Sequence, residues 1–335
     1  MMTGTMKAVR LHEHGGPEVL RLDEVPVPEV GPGEVRVRVR AVGLNPPDWY
    51  LREGMTKIPP ELRPRLDLPL IPGTDVSGVV EEVGEGAGWA VGDEVFGMLR
   101  FPSPGGSAYA EQVVAPATDL ARKPAGVDHV QAAGAPMAGL TAWQFLIALG
   151  HEVAPPFQPR PHHPVPLGSG TTVLVNGAAG GVGHFAVQLA RWRGARVVAV
   201  ASGSHGEFLR GLGADVVVDY TRERAEDLVD EVDLVLDAVG GEATGRFLPL
   251  VRRGGALFPV FPGPYDVAEA ARREVTVSAT QVRASGAQLA ELGALLGSGE
   301  VRVGVDSVFP LADAAAAHAR AERGHIRGKI VLVVD

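Results

Sequence analysis

The sequence predicts an α/β protein in which a β-rich region is followed by a doubly wound parallel sheet. Two patterns support this fold class. Residues 6–44 form short runs of β-branched or alternating residues, and VRVRVR at 35–40 gives a strand one buried and one wet face. From residue 171 onward, short apolar runs alternate with segments of helical spacing, which is typical of parallel strands connected by helices.

The β-rich region is interrupted by a short predicted helix at Pro46–Arg52 and a proline-rich loop at 58–72. Alanine and leucine dominate 130–149, which predicts two consecutive helices. The segment 154–170 has six prolines and two adjacent histidines, so we expect an exposed loop. The predicted strands are Met6–Leu11, Val19–Val27, Glu34–Leu44, Gly78–Gly84, Glu94–Met98 and Tyr109–Val114.

The second region is predicted to alternate six strands with helices, the pattern of a doubly wound sheet. After it we expect a helix at 287–296, a strand at 301–308, a helix at 311–322 and a last strand at 329–334. The six strands are Thr172–Asn176, Arg196–Ala201, Val216–Asp219, Val232–Asp237, Ala256–Val260 and Glu274–Thr280.

A glycine-rich turn, GAAGGVG at 177–183, joins the first of these six strands to a helix that ends before Gly194. Glycines let the backbone approach a pyrophosphate, and the helix N-terminus supplies N–H groups and partial positive charge. In the G-x-G-x-x-G register Ala178 replaces the first glycine, and glycines kept for packing alone are the alternative. The turn predicts a Rossmann dinucleotide site, with contacts from Ala179, Gly180, Gly181, Val182 and Gly183.

Composition and charge exclude several classes of protein. The net charge is −9 with basic and acidic residues interspersed, so we predict no nucleic-acid partner. The sequence opens without a signal-peptide pattern and has no run of about 18 apolar residues, so no membrane span is expected. Cysteine is absent, which excludes disulfides and thiolate chemistry and fits a cytoplasmic location.

Eight segments, taken in order, carry a resemblance to a known family. They are AVGLNPPDWYLREG (41–54), LPLIPGTDVSGVVEEVG (68–84), VGDEVFGM (91–98), AGLTAW (138–143), VLVNGAAGGVGHFAVQLAR (173–191), LRGLGADVVVDY (209–220), DLVLDAVGG (233–241) and RGKIVLVV (327–334). The sequence resembles the medium-chain dehydrogenases/reductases, in the zinc-free, zeta-crystallin-like NADPH:quinone oxidoreductase branch. The resemblance implies a GroES-like β-rich catalytic domain at 1–136 and 284–335, a Rossmann NADP-binding domain at 137–283, and a homodimer.

The resemblance also bears on zinc, because many members of this superfamily are zinc alcohol dehydrogenases. Their first zinc ligand falls on Asn45, the second falls on Thr74, and the third falls at or near Met137. None of these residue types is a good zinc ligand. We therefore predict no metal site.

The choice of cofactor is predicted from the residues after the second strand of the sheet. An NAD site usually carries an acid about 20 residues past the glycines, whereas this chain has Ser202 there. In the family, a serine at this place and the tyrosine of a motif matched by Tyr220 contact the 2′-phosphate of NADPH. His205, Arg222 and Arg224 stand where the family often has a lysine. We predict NADPH, with an exposed loop of no phosphate preference as the alternative.

Three more cofactor contacts come from the resemblance alone. Val239 matches a position that lines the adenine ribose, Phe261 matches one beside the nicotinamide, and Lys329 is expected to reach the pyrophosphate. Simple core or surface roles are the alternative for each of them.

The predicted catalytic residues are Asn45, Tyr50 and Thr141. Asn45 and Tyr50 match residues that line the quinone oxidoreductase pocket, where an amide donates to a carbonyl that gains negative charge and a phenol donates a hydrogen bond or a proton. Thr141 matches a position near the nicotinamide face. Asp48, in the same motif, is interpreted as a helix cap.

These residues predict a zinc-independent reductase that transfers hydride from NADPH to a quinone or another activated α,β-unsaturated carbonyl compound. The protein would supply orientation and electrostatics to the cofactor chemistry. Two alternatives remain open, a 2-enoyl thioester reductase and a non-catalytic NADPH-binding protein.

Overall fold

A computed structural model describes residues 4–56, 58, 60, 63, 67–100, 107–156, 158 and 160–335 of the chain. The chain divides into two compact units. The first unit comprises Met1–Met137, Arg283–Ser298 and Val303–Asp335, and the second comprises Ala138–Val282 and Gly299–Arg302. Each unit is built around its own sheet.

The first unit begins with an antiparallel pair, β1 (Thr5–Leu11) and β2 (Leu20–Pro26). The next elements are β3 (Glu34–Gly43), α1 (Pro46–Arg52), β4 (Asp75–Val83), β5 (Glu94–Met98), β6 (Gln112–Pro116), β7 (Leu120–Arg122) and α2 (His129–Ala133). The following helix, α3 (Pro136–Leu146), belongs to the second unit from Ala138 onward. In β3 the valines at 35, 37 and 39 are buried, as the period-two alternation predicts. Their burial places the core of the first unit against this strand.

The second unit contains a parallel sheet, and its strands alternate with helices. Its elements are β8 (Thr172–Asn176), α4 (Gly181–Trp192), β9 (Arg196–Ala201), α5 (Gly206–Gly211), β10 (Val216–Asp219), β11 (Val232–Asp237), β12 (Val251–Pro259), α6 (Val267–Arg272) and β13 (Thr276–Val277). The strand order is β10-β9-β8-β11-β12-β13, and every neighbouring pair is parallel. This is the Rossmann order, and it confirms the predicted fold class.

The last segment returns to the first unit. It contains α7 (Gly286–Ser298), β14 (Val305–Pro310), α8 (Ala314–Glu322) and β15 (Lys329–Val333). β15 pairs with β3, so the sheet of the first unit runs β14-β15-β3-β4-β5-β7, with β6 also paired to β3. Within the described residues, no helix combines the length and apolarity needed to cross a bilayer.

Several predicted strands have the wrong limits, including those at 78–84, 256–260 and 301–308, which are observed at Asp75–Val83, Val251–Pro259 and Val305–Pro310. The strand expected at 109–114 lies at Gln112–Pro116, because the backbone of Tyr109 pairs with Pro72 and Val9 instead. The strand expected at 274–280 shrinks to β13, because the N–H of Ala279 donates to a side chain and not to a strand. β7 was not predicted, since three residues are too few to show a period.

The proline-rich segment 154–170 was predicted to be an exposed loop, and this is wrong at His162. The ring of His162 is fully buried, and both of its nitrogens lie within hydrogen-bonding distance of other groups in the second unit. Prolines exclude regular structure from a segment but leave it free to pack. The neighbouring His163 is exposed, as predicted.

Candidate active site

In the glycine turn between β8 and α4, two positions, 177 and 183, can be occupied only by glycine. Gly177 has a φ of +70°, in the left-handed region. At Gly183, in the first turn of α4, a β-carbon would lie 2.1 Å from the carbonyl oxygen of Gly177. This close packing brings the N-terminus of α4 to the carboxyl end of β8. The first turn of a helix has N–H groups without intrahelical partners, which suits a bound pyrophosphate.

The carboxyl ends of the parallel strands carry the other predicted cofactor residues. Ser202, Tyr220, Val239 and Phe261 follow β9, β10, β11 and β12 within two residues. Three of them are large and exposed, Tyr220 at 52%, Val239 at 61% and Phe261 at 39%. Chain connections leave β8 toward β9 on one side, while β11 lies on the other, so the strand order reverses beside β8. Ligands of doubly wound sheets bind at this reversal.

Asp237 holds the loop after β11 in place, and this role was not predicted from the sequence. The carboxylate is buried and its Oδ1 accepts from Asn176 Nδ2 at 2.7 Å, from Gly240 N at 2.9 Å and from Val239 N at 3.2 Å. Its Oδ2 accepts from Thr244 Oγ1 at 2.9 Å. The carboxylate therefore connects the end of β8 to the loop that presents Val239.

The register of the parallel strands β9 and β10 places Ser202 and Tyr220 side by side. Asp219 lies opposite Ala201 in the parallel ladder, and the N–H of Tyr220 donates to the carbonyl of Ala201 at 3.2 Å. Ser202 Oγ lies 3.1 Å from Ser204 Oγ. Two hydroxyl groups and a phenol ring thus stand at the carboxyl ends of β9 and β10.

An acid and two arginines, Asp219, Arg222 and Arg224, lie in the chain close to Tyr220. Asp219 accepts from Thr221 Oγ1 at 2.7 Å and from Thr221 N at 3.1 Å, and these bonds, with the nearby charge of Arg222, lower the pKa of its carboxyl. Arg224 is paired with Glu226 at 3.2 Å. Among the described residues, Arg222 makes no ion pair and its side chain is exposed. Arg222 is therefore a cation in this region that can bind an anion.

In the first unit, Asn45 lies at the centre of a buried polar cluster. It precedes α1, and its N–H donates to Asp48 Oδ2 at 2.8 Å, which confirms Asp48 as a cap of this helix. The amide Nδ2 donates to Gly43 O at 3.2 Å and to Thr74 Oγ1 at 3.3 Å. The amide oxygen accepts from Lys329 Nζ. Because lysine only donates and a carbonyl only accepts, these partners fix the orientation of the amide.

Comparisons with known proteins identify the family to which this fold and these residues belong. Residues 31–125 match the alcohol dehydrogenase GroES-like domain, and residues 212–332 match the zinc-binding dehydrogenase family. The chain is 33% identical over 340 residues to a chloroplast envelope quinone oxidoreductase homolog of Arabidopsis thaliana, with 98% of each chain covered. The chain belongs to the medium-chain dehydrogenases/reductases, in the quinone oxidoreductase branch.

Two further members of the family give the same result. The chain is 33% identical over 338 residues to a chloroplastic NADPH-dependent alkenal/one oxidoreductase of Arabidopsis thaliana, covering 98% of this chain and 79% of that one. The quinone oxidoreductase of Coxiella burnetii has a similar structure, with a TM-score of 0.84 at 31% identity over 99% of this chain and 100% of that one. The predicted GroES-like and Rossmann fold class is confirmed by these matches.

The zinc of the matched dehydrogenase family does not fit the residues of this chain. Asn45 and Thr74 are hydrogen-bonded to each other, and Met137 contributes its N–H to Asp75 Oδ1 at 2.9 Å. An amide, a hydroxyl and a thioether are poor zinc ligands. Across the part of the chain that the structure describes, no group of three or more His, Cys, Asp or Glu residues could hold a metal.

Lys329 is buried in the first unit, next to Asn45. The side chain is 3% exposed, and its ammonium donates to Leu44 O and Asn45 Oδ1 and lies 3.9 Å from Asp75 Oδ2. The contact between Lys329 and Asn45 was not predicted, because 284 residues separate the two. The predicted contact of Lys329 with the pyrophosphate stays a prediction.

The buried charges around Asn45 shift the protonation of the carboxyl groups. Burial raises the pKa of Asp48 to about 7 and that of Asp75 to about 6, although Lys329 opposes both shifts. Burial lowers the pKa of Lys329 itself. A single cation is thus shared by two carboxyl groups that hold protons more tightly than exposed ones.

Tyr50 and Thr141 lie on helices. Tyr50 is half-buried in α1, where burial and the nearby charge of Glu53 raise the pKa of its phenol above the ordinary value. The phenol therefore stays protonated at neutral pH and can donate a hydrogen bond. Thr141 is buried in α3, one helical turn before Phe145.

Proposed function

We propose that this protein transfers hydride from NADPH to a quinone or another activated α,β-unsaturated carbonyl compound, without zinc. Two observations carry the proposal: the second unit has a pyrophosphate cradle at Gly177–Gly183, and the first unit has an amide and a hydroxyl, Asn45 and Thr74, at the metal-ligand positions of the family. The quinone and alkenal/one reductases to which the chain is similar support the same substrate class.

NADPH supplies the hydride when it is bound, and the residues of the chain hold the cofactor in place. Gly180, Gly181 and Val182 suit the pyrophosphate, because they are the N-cap and the first residues of α4, and no side chain caps this helix end. Val239, held by Asp237, suits the adenosine ribose. Phe261 and Thr141 are the proposed nicotinamide contacts.

The preference for NADPH over NADH rests on the residues after β9 and β10. Ser202 and Ser204 offer two hydroxyl groups, Tyr220 offers an exposed ring, and Arg222 offers a cation. A 2′-phosphate carries about two negative charges and accepts strong hydrogen bonds from such groups. Asp219 adds a negative charge beside them, but it is bonded to Thr221.

In the first unit, the proposed roles of Asn45 and Tyr50 concern the negative charge that hydride addition leaves on a substrate oxygen. The phenol of Tyr50 remains protonated and is the proposed donor to this oxygen. Both amide hydrogens of Asn45 already have partners, and the longer bond, at 3.3 Å to Thr74, is the one that a substrate oxygen would replace.

A panel of acceptors tests the proposal. The purified protein is mixed with NADPH and, in turn, with quinones, enones and a 2-enoyl thioester, and the absorbance of NADPH is followed. We expect turnover with quinones or enones. Turnover confined to the thioester would replace the substrate class, and tight NADPH binding without turnover on any acceptor would contradict an enzymatic function.

A further inference from the structure

The side chain of His162, in the proline-rich segment 154–170, is buried inside the second unit. Its Nε2 lies 3.0 Å from the carbonyl oxygen of Phe145, and its Nδ1 lies 2.9 Å from Ser278 Oγ. Because a carbonyl only accepts, Nε2 carries the proton, and Nδ1 of the neutral ring accepts from the serine hydroxyl. Both nitrogens are therefore used, and the ring has one orientation.

The imidazole ring also packs against two aromatic rings. It meets Phe258 edge-on, with 4.4 Å between ring centroids and an interplanar angle of 83°, and it lies 5.1 Å from the ring of Phe145. All three rings are fully buried. His162 thus contacts α3 through Phe145, β12 through Phe258, and the residue after β13 through Ser278.

A second bond fastens the same segment to the end of β13. Gln158 Oε1 accepts from the N–H of Ala279 at 2.9 Å, and Gln158 Nε2 donates to Arg160 O at 2.8 Å. The N–H of the preceding residue, Ser278, points toward β12, where it donates to Leu257 O. The N–H of Ala279 therefore points to the outer edge of the sheet, where the segment lies.

The elements that His162 joins are the ones that carry the proposed nicotinamide contacts. Thr141 precedes Phe145 by one helical turn on the same face of α3. Phe261 follows Phe258 by three residues, just beyond the end of β12. The distance between Thr141 and Phe261 therefore depends on how α3 is held against the carboxyl ends of β12 and β13.

We infer that His162 is a positioning residue for hydride transfer, which holds α3 at a fixed distance from the carboxyl ends of β12 and β13. This inference rests on the proposed function, because it assumes that the nicotinamide binds between Thr141 and Phe261. The proposed contacts of the adenosine end follow β9, β10 and β11, and none of them is on α3, β12 or β13. Loss of the imidazole should therefore weaken one end of the cofactor site and leave the other unchanged.

Three variants test this inference, His162→Ala, His162→Gln and the control His163→Ala. The first removes both bonds, the second keeps an amide N–H that can donate to Phe145 O, and the third removes the exposed neighbour. Two binding constants are measured by calorimetry, one for NADPH and one for 2′,5′-ADP, which carries the adenosine end alone. The single-turnover rate of NADPH oxidation is measured with the best acceptor.

We expect His162→Ala to lower the single-turnover rate and the NADPH affinity by about tenfold each, because small displacements of reacting groups have large effects on rate. The affinity for 2′,5′-ADP should stay within about twofold of the wild-type value, a change below roughly 0.4 kcal/mol. His162→Gln should recover part of both losses, and His163→Ala should match the wild type.

Other outcomes would overturn the inference. A wild-type rate and NADPH affinity in His162→Ala would show that the imidazole positions nothing, and a parallel loss of 2′,5′-ADP binding would show a general structural role. If His162→Ala does not fold, wild-type values in both His162→Gln and Ser278→Ala would overturn it. If the wild type reduces no acceptor, the proposed function fails, and the two binding constants still decide the role of His162.

Discussion

Gly183 lies so close to Gly177 that a β-carbon on residue 183 would stand 2.1 Å from the carbonyl oxygen of residue 177. The turn before α4 can close only when residue 183 has no side chain. A β-carbon on residue 180 would stand 3.4 Å from the same carbonyl oxygen, an ordinary contact, and the backbone of Gly180 has a φ of −78°. Packing therefore requires glycine at residue 183 but not at residue 180.

This difference predicts that Gly183→Ala and Gly180→Ala separate stability from binding. Gly183→Ala should lower the free energy of unfolding by about 1–3 kcal/mol, because it overpacks the turn. Gly180→Ala should leave that free energy unchanged within about 0.5 kcal/mol. Because its backbone is proposed to face the pyrophosphate, Gly180→Ala should still bind NADPH more weakly. Denaturant unfolding and NADPH titration measure the two effects, and equal stability of the variants would contradict this assignment.

Lys329→Met tests both the observed and the predicted contacts of Lys329. In this variant the buried Asp75 loses its cation, so the free energy of unfolding should fall by about 3 kcal/mol. The predicted contact with the pyrophosphate requires that the affinity for NADPH also falls, by more than about twofold. An unchanged NADPH affinity in a folded Lys329→Met would contradict that contact.

Two neighbouring arginines separate a phosphate contact from general surface charge. Arg222→Met should lower the preference for NADPH over NADH by about fivefold, roughly 1 kcal/mol, as expected for an exposed charge pair. Arg224→Met removes a similar charge two residues away, but that arginine is paired with Glu226, so the preference should not change. The measurement is the ratio of the NADPH and NADH affinities in each variant. An equal change of this ratio in Arg222→Met and Arg224→Met would contradict a specific contact between Arg222 and the 2′-phosphate.

The burial of His162 predicts a particular pH dependence of stability. Burial lowers the pKa of this imidazole to about 4, although its bond to Phe145 opposes the shift. Between pH 6.5 and about 4 the unfolded chain binds a proton that the folded protein does not, so stability falls as the pH falls through this window. His162→Gln should lose less stability than the wild type over the same window.

Comparing the wild type with His162→Gln separates the contribution of His162 to this pH dependence from that of other titrating groups. Asp48 and Asp75, with raised pKa values, contribute stability that is lost as the pH rises through about 7 and about 6, and they do so in both proteins. The difference between wild type and His162→Gln therefore reports on His162 alone. Parallel pH profiles of unfolding would mean that His162 titrates normally in the folded state.

The sequence was most informative where a signal is local. The strands Thr172–Asn176, Arg196–Ala201, Val216–Asp219 and Val232–Asp237 were predicted with the limits that the structure has. Short β-branched runs between glycines show their period within a few residues. The turn at 177–183 was predicted for the same reason.

The contacts that were missed are long-range. Asp237 reads as the last residue of a strand, and its role depends on Asn176, which lies 61 residues earlier and becomes its neighbour through the parallel ladder. Lys329 and Asn45 meet because β15 pairs with β3. His162 lies among prolines, which give no sign that Ser278 is its partner 116 residues later. Such pairs depend on packing, which no local pattern encodes.

The most direct test of hydride transfer without zinc follows the label from the cofactor. NADPH that carries deuterium at the transferred position of C4 is incubated with the protein, freed of metal by a chelator, and with the best acceptor of the panel. With an enone acceptor we predict one deuterium per reduced product by mass spectrometry, and a rate unchanged by chelation. A product without deuterium, or activity that disappears with the chelator and returns with zinc, would contradict the proposed function.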